Sequence, residues 1–383
     1  MLEPESFVLE NAALILPNQV IEKGWLAVAD GRITEFGEGE APERGVDCRG
    51  DYLLPGLVEL HTDHLESHFA PRPHVRWHAL SAVTAYDAQI AASGITTVFD
   101  SLRAGSDADS ASIGADLLAL AEALASAKTL GALRVDHRTH LRCEIASADV
   151  VEQVEDFATR YPIHLMSLMD HTPGQRQFRD IETWKLFYMR KVKWSDEELA
   201  RFVRQRLEIH ERYAAEHRLQ LVALSERVGA VLASHDDATA EHVEESVANG
   251  VKVAEFPTTV EAAAASHEAQ VAVMMGAPNV VRGGSHSGNV AAEVLAREGL
   301  LDVLSSDYVP ASLLFSAFHL PRRVPEIALP QAIRMVTSAP AQAVGLDDRG
   351  EIAPGKRADL VRVAVADDAP MVRRVWAEGR FAA

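Results

Sequence analysis

From Pro55 onward, apolar runs of strand length alternate with alanine- and leucine-rich helical patterns. The strand-length runs fall at 57–61, 95–100, 135–144, 163–170, 229–235, 251–256, 271–276 and 301–307, which makes eight. Helical patterns between them include 81–93, 108–130, 148–160, 238–249, 258–268 and 288–298. Strands separated by whole helices cannot pair as hairpins. They pair in parallel through crossover helices, and such strands are buried on both faces. Eight βα units in series predict a closed TIM-like (β/α)8 barrel.

The two ends of the chain have a different rhythm. Short runs at Phe7-Val8-Leu9, Ala13-Leu14-Ile15-Leu16 and Trp25-Leu26-Ala27-Val28 are broken by the turn signals Pro17-Asn18 and Asp30-Gly31. Short strands return near the C-terminus at Leu360-Val361-Arg362-Val363 and 372–376. The expected organisation is an α/β chain with a small β-sandwich domain built from both termini, 1–54 plus 346–383, and a barrel over 55–345. The longest interruption, around 172–218, carries a charged helix and reads as an inserted lobe over the barrel mouth.

Charge narrows the partners. With 56 acidic and 37 Lys and Arg side chains the formal net charge is -19, which disfavours nucleic acid or an anionic membrane. No apolar run approaches the roughly 20 residues of a membrane span. The opening MLEPESFVLE has neither a basic n-region nor an apolar h-region. Cys48 and Cys143 are the only cysteines, so a disulfide framework is not expected and a cytoplasmic location fits. A homo-oligomer is compatible with this composition.

In barrels of this class the chemistry gathers at the C-terminal ends of the strands. The first strand ends in ELHTDHLESH, with His61 and Asp63 two residues apart and so on one side of an extended chain. The third ends in Arg142 and Glu144, the fourth in Asp170-His171, the fifth in His235-Asp236-Asp237 and the eighth in Asp307. A lone histidine at a strand end is ordinarily a hydrogen-bonded structural residue. Five of eight ends carrying imidazole or carboxylate point instead to a divalent metal site of the zinc, manganese or iron kind. Asp307 can orient or deprotonate the attacking water, or else cap the next helix. His137 and His140 alternate with Glu144 and are candidates for supporting a ligand.

Arginines fall in the same loops. Arg72 and Arg76 lie in PRPHVRW, Arg142 precedes Glu144, Arg176 lies in GQRQ, and Arg282 and His286 lie in RGGSHSG before a helix expected to start at Asn289. A glycine-rich loop ahead of a helix N-terminus offers free N–H groups suited to phosphate. In so acidic a chain this placement suggests a local cationic pocket for a small polyanionic substrate.

Two flanking motifs, LPGLV leading into the first strand and GKRADL near the C-terminus, resemble the amidohydrolase superfamily. Within it, ELHTDHLE, PRPHVRW, ASGITTVFD, HRTHLRCE, SLMDHTPGQRQF, ASHDDAT, AEFPTTVEAA, MGAPNVVRGGSHSGN and LSSDYVPASLL resemble a phosphonate-catabolising branch. That resemblance implies hydrolysis of α-D-ribose 1-methylphosphonate 5-triphosphate to the 5-phosphate and pyrophosphate, one step before the carbon–phosphorus bond is broken. It implies a triphosphate diphosphatase with two divalent ions, whose ligand set would be His61, Asp63, Glu144, His171, His235 and Asp307, with Asp307 as base. Two departures from the superfamily pattern stand out. Its usual His-x-His opening is here His61-Thr62-Asp63, a harder donor set that favours manganese or iron over zinc. Its bridging ligand normally comes from the fourth strand, whereas Glu144 ends the third. The competing activity is cleavage of a C–N bond in a cyclic amide or N-acyl compound, which needs no arginine-rich loops. A non-catalytic scaffold would have no use for the strand-end ligands.

Overall fold

The computed structural model describes residues 6–106, 113–176, 195–285 and 288–383. His286, the first residues of the helix expected over 108–130 and positions 177–194 of the expected lobe lie outside those residues.

Two sheets organise the chain. The first takes β1 (Phe7–Ile15), β2 (Val20–Ala29), β3 (Arg32–Glu38), β4 (Val46–Asp47) and β5 (Tyr52–Pro55) from the N-terminal side. The second contains β6 (Leu57–Thr62), β7 (Ile95–Ala104), β8 (Asp136–Glu144), β9 (Leu165–Met169), β10 (Val231–His235), β11 (Val253–Glu255), β12 (Ala272–Gly276) and β13 (Val303–Ser305) in chain order. The chain then returns to the first sheet with β14 (Leu360–Ala366), β15 (Ala369–Ala377) and β16 (Arg380–Phe381). Their order is β16-β15-β14-β5-β1-β2-β3, with β4 on β1, so both termini build one sheet. The eight strands β6–β13, with Thr62 bridged in parallel to Asp307 just past β13, form the expected (β/α)8 barrel.

The chain packs as two compact units. The first comprises the chain up to Asp100, Ala123–Arg138 and Met274–Ala383; the second comprises Ser101–Glu122 and Thr139–Val273.

In the first unit the terminal sheet has its own core of Leu9, Leu14, Leu26, Ile33, Leu53, Leu360 and Trp376, all buried. Phe7 stacks on Trp376 with ring centroids 5.7 Å apart. The LPGLV motif joins this sheet to the barrel. Pro55 pairs with Leu360, and the Gly56 N–H donates to the Asp359 carbonyl at 2.7 Å. Glycine is required there because a Cβ at position 56 would lie 2.1 Å from Thr96 Oγ1.

In the second unit the parallel register runs Arg142↔Ser167, Leu168↔Ser234 and Ala233↔Val253. The charged helix runs past position 218, beyond the interruption expected to hold it. It spans Asp196–Val228, 33 residues, because Ser195 and Glu198 close a capping box at its start and nothing interrupts it before Gly229 at φ 71°. Leu199, Phe202, Val203, Arg206, Ala214, His217, Leu221 and Leu224 form its buried stripe.

The glycine-rich segment after the seventh barrel strand also differs. A helix expected from position 288 starts at Ala292, and another, Ala277–Arg282, follows β12 directly. Pro278 opens that first helix, and Gly283 at φ 74° ends it. Asn279 Oδ1 then accepts from the Ala292 N–H at 3.0 Å, which fixes where the second helix begins.

No helix among the described residues is long and apolar enough to cross a membrane. Cys48 and Cys143 are free and buried.

Candidate metal centre

In the first unit, the strand-end residues are held by the main chain. Ser305 Oγ donates to the His61 carbonyl at 2.6 Å, and the Asp307 N–H reaches the same oxygen at 3.2 Å. Thr62 Oγ1 in turn donates to the Asp307 carbonyl at 2.7 Å. These tethers hold Asp307 at φ 54°, a left-handed conformation that a non-glycine residue keeps only when its surroundings impose it. The helix after Asp307 begins at Ser312 with Ala311 before it, so Asp307 is not its cap. Glu59 lies beneath, fully buried, and accepts from the His61 N–H at 2.7 Å and the Ser306 N–H at 2.5 Å. Burial pushes its carboxyl up to about 7, against those bonds.

Asp63 does not continue the strand. β6 stops at Thr62, and Asp63 at φ -96°, ψ 12° precedes the helix His64–Phe69. The expected shared face of an extended chain is thus replaced by a turn, because helix formation begins one residue later. His64 packs into this turn, with Nδ1 3.0 Å from the Tyr308 carbonyl and Nε2 3.2 Å from Gln89 Oε1, which His68 Nε2 also approaches at 2.9 Å. His137 belongs to a separate buried cluster, 2.9 Å from Asp100 and 3.3 Å from Asp87.

In the second unit, side chains do the holding. Glu144 is fully buried; its Oε2 lies 2.6 Å from His171 Nδ1, and its Oε1 accepts from the His171 N–H at 3.1 Å. Burial works to raise the Glu144 carboxyl, but His171, Arg103 and Arg206 together hold it below the usual range. Asp170 behaves alike: His210, 3.1 Å away, and Thr172 outweigh burial and bring its carboxyl to about 2. His235 at the end of β10 lies 3.0 Å from Glu255 Oε2 and 3.4 Å from Asp236 Oδ2. Asp236 and Phe256, each just past its strand, take left-handed φ values of 57° and 56°. His171, His235 and Asp236 each present one ligand atom, all within 4.8 Å of one another. Two imidazoles and a carboxylate at that spacing suit a borderline-hard divalent cation.

The arginines divide. Arg176 is buried and ion-paired to Asp237 and to Glu245, the latter at 2.8 Å. Arg142 is half-buried on the same side of β8 as Glu144. Arg72, Arg76 and Arg282 are exposed, with Arg76 5.9 Å over the Phe69 ring. Three buried or half-buried residues escaped the sequence reading: Glu255, Arg103 and Arg206. Glu255 was within reach, since it is the one charge ending the apolar run of β11. Arg103, with Nη2 4.0 Å from Glu144, and Arg206, on the buried stripe of the long helix, carry no comparable signal.

The sequence profile of the amidohydrolase family matches residues 88–383. The chain belongs to the amidohydrolase family. Along 376 residues it is 45% identical to the α-D-ribose 1-methylphosphonate 5-triphosphate diphosphatase of Escherichia coli (strain K12), covering 97% of this chain and 99% of that one. Solved structures share this amidohydrolase's fold at low identity. An N-acetyl-D-glucosamine-6-phosphate deacetylase from Mycobacterium smegmatis matches with TM-score 0.63 at 18% identity, over 98% of this chain and 100% of that one. Molinate hydrolase matches with TM-score 0.65 at 15% identity, over 100% of this chain and 95% of that one. Within this amidohydrolase Glu144 lies on the third barrel strand, His171 follows the fourth and His235 ends the fifth. The order of strands read from the sequence therefore holds for these three residues.

Proposed function

We propose that the chain hydrolyses α-D-ribose 1-methylphosphonate 5-triphosphate to the 5-phosphate and pyrophosphate, a step of phosphonate catabolism in the cytoplasm. The observation that carries this reading is the Escherichia coli relative of that name, matched at 45% identity over 97% of the chain. Divalent cations, two in this reading, would neutralise charge on the phosphoryl oxygens and acidify the attacking water. His61, Asp63, Glu144, His171, His235 and Asp307 are the residues assigned to hold them. Asp63 in place of a histidine makes the set harder and favours manganese or iron over zinc.

Asp307 takes the proton as water oxygen bonds to the α-phosphorus. The α–β bridging oxygen leaves with pyrophosphate. Arg142, Arg72, Arg76, Arg282 and His286 are assigned to the phosphate and phosphonate oxygens. Arg176, already paired to Asp237 and Glu245, acts by shaping the loop.

Turnover of the ribosyl triphosphate by the metal-loaded enzyme in 18O-water tests the reading. Pyrophosphate release with the label in the ribosyl 5-phosphate supports attack at the α-phosphorus. Label in the pyrophosphate would move the attack to the β-phosphorus. An inert triphosphate alongside hydrolysis of hydantoins or N-acyl amino acids would replace this reading with the C–N one.

A further inference from the structure

We propose that Glu255 is a positioning residue that fixes the ring of His235 through Nδ1 and leaves Nε2 to face the cation. This rests on His235 being a metal ligand, as assigned above.

The parallel register pairs His235 with Glu255 directly, so both side chains leave neighbouring strands on one face. Glu255 is fully buried, and a carboxylate in that position must be satisfied by donors. Its Oε2 lies 3.0 Å from His235 Nδ1 and accepts from Ser167 Oγ at 2.7 Å. Its Oε1 lies 3.5 Å from His140 Nε2. His140 Nε2 also contacts Ser167 Oγ, and its Nδ1 lies 3.1 Å from Ser101 Oγ. Ser101, His140, Ser167, Glu255 and His235 thus form one buried polar chain across β7 to β11.

A carboxylate accepting from Nδ1–H selects the tautomer whose lone pair is on Nε2. On that side lies Asp236 Oδ2 at 3.4 Å, a member of the group with His171. Phe256 packs edge-on against the imidazole, centroids 5.5 Å apart at 89°, and limits its rotation. Glu255 therefore sets both the tautomer and the aim of His235, and Ser167 and His140 set Glu255.

The test is bound metal, measured by stoichiometry at saturation and by competition with a chelator, on the purified full chain and three variants. Glu255→Gln keeps the side-chain volume. It is expected to keep full stoichiometry at saturating metal and to bind one equivalent roughly 10- to 100-fold more weakly. Ser167→Ala should shift in the same direction by less. His235→Ala should lose that equivalent. If His235→Ala loses metal while Glu255→Gln binds as tightly as the parent, the positioning role fails and the ligand assignment stands. If His235→Ala keeps its full complement, the ligand assignment fails and takes the positioning role with it. Outright loss of an equivalent from Glu255→Gln at saturation would make Glu255 itself a ligand and overturn the proposal.

Discussion

The two units hold their strand-end residues by opposite means. In the first, His61 and Asp307 are held at their main-chain atoms: the His61 carbonyl takes Ser305 Oγ and the Asp307 N–H, the His61 N–H donates to buried Glu59, and the Asp307 carbonyl takes Thr62 Oγ1. In the second, His171 and His235 are located by carboxylates, Glu144 and Glu255. Several bonds to main-chain atoms share that load, so the loss of one side chain leaves others in place. A buried carboxylate is a single point of failure, because removing it strips a ring of its partner and leaves neighbouring charge uncompensated. The second unit should therefore be the more fragile of the two toward substitution.

The largest expected effect lies there. His235→Ala should lower turnover by at least roughly a thousandfold if His235 is the ligand proposed for it, because the chemistry would then depend on the cation it holds. Steady-state pyrophosphate release checks it, and activity above a tenth of the parent would take His235 off the ligand set. Glu144→Ala comes next. It leaves His171 and Arg103 facing an empty buried position, and breaking a buried charge pair this way costs about 3–5 kcal/mol. Denaturant unfolding at neutral pH should register that loss. A change under about 1 kcal/mol would mean that the pair is solvated and that the contrast between units is wrong.

How much of this was legible in the residues follows from the same contrast. The eight strands were, because each is an uninterrupted apolar run of strand length between alanine-rich helices. The strand-end groups were too, because His235 and Glu144 close such runs and polar groups there need a reason. Parity failed at Asp63, since a period of two holds only while the chain stays extended and the helix starts at His64. The holding partners were not legible. His171 finds Glu144 27 positions away, His235 finds Glu255 20 positions away, and Arg176 finds Glu245 69 positions away. Such pairings are made by strand order and helix placement, not by any local pattern. The helix Ala277–Arg282 and the Asn279 bond that delays the next one to Ala292 were both missed, because each depends on the chain after β12 and not on a long local pattern.

A buried histidine of the first unit is also held by carboxylates. His137 sits between Asp100 and Asp87, and although burial disfavours its charge, the two carboxylates raise it from an ordinary value of 6.5 to about 10. Its folded value lies above its unfolded one. Its contribution to stability is thus complete below pH 6.5 and is lost as pH rises toward 10. Melting curves should show the parent losing stability across that window, and His137→Gln should flatten the loss while lowering stability at pH 6. An equal slope in both proteins would mean that the pair does not form.

The smallest effect should come from Thr62→Val. The substitution keeps a β-branched side chain in β6 and deletes the hydroxyl, which donates to the Asp307 carbonyl at 2.7 Å and accepts from the His64 N–H at 3.3 Å. A bond of this kind is worth about 1 kcal/mol, the longer one to His64 less, and the Asp307 N–H still holds the His61 carbonyl. Unfolding free energy should therefore fall by about that amount. Turnover should drop by less than roughly tenfold, because the remaining backbone bond keeps Asp307 near its left-handed conformation. A loss as large as that of His235→Ala would show that the first unit also hangs on one side chain, and the distinction between backbone and carboxylate support would collapse.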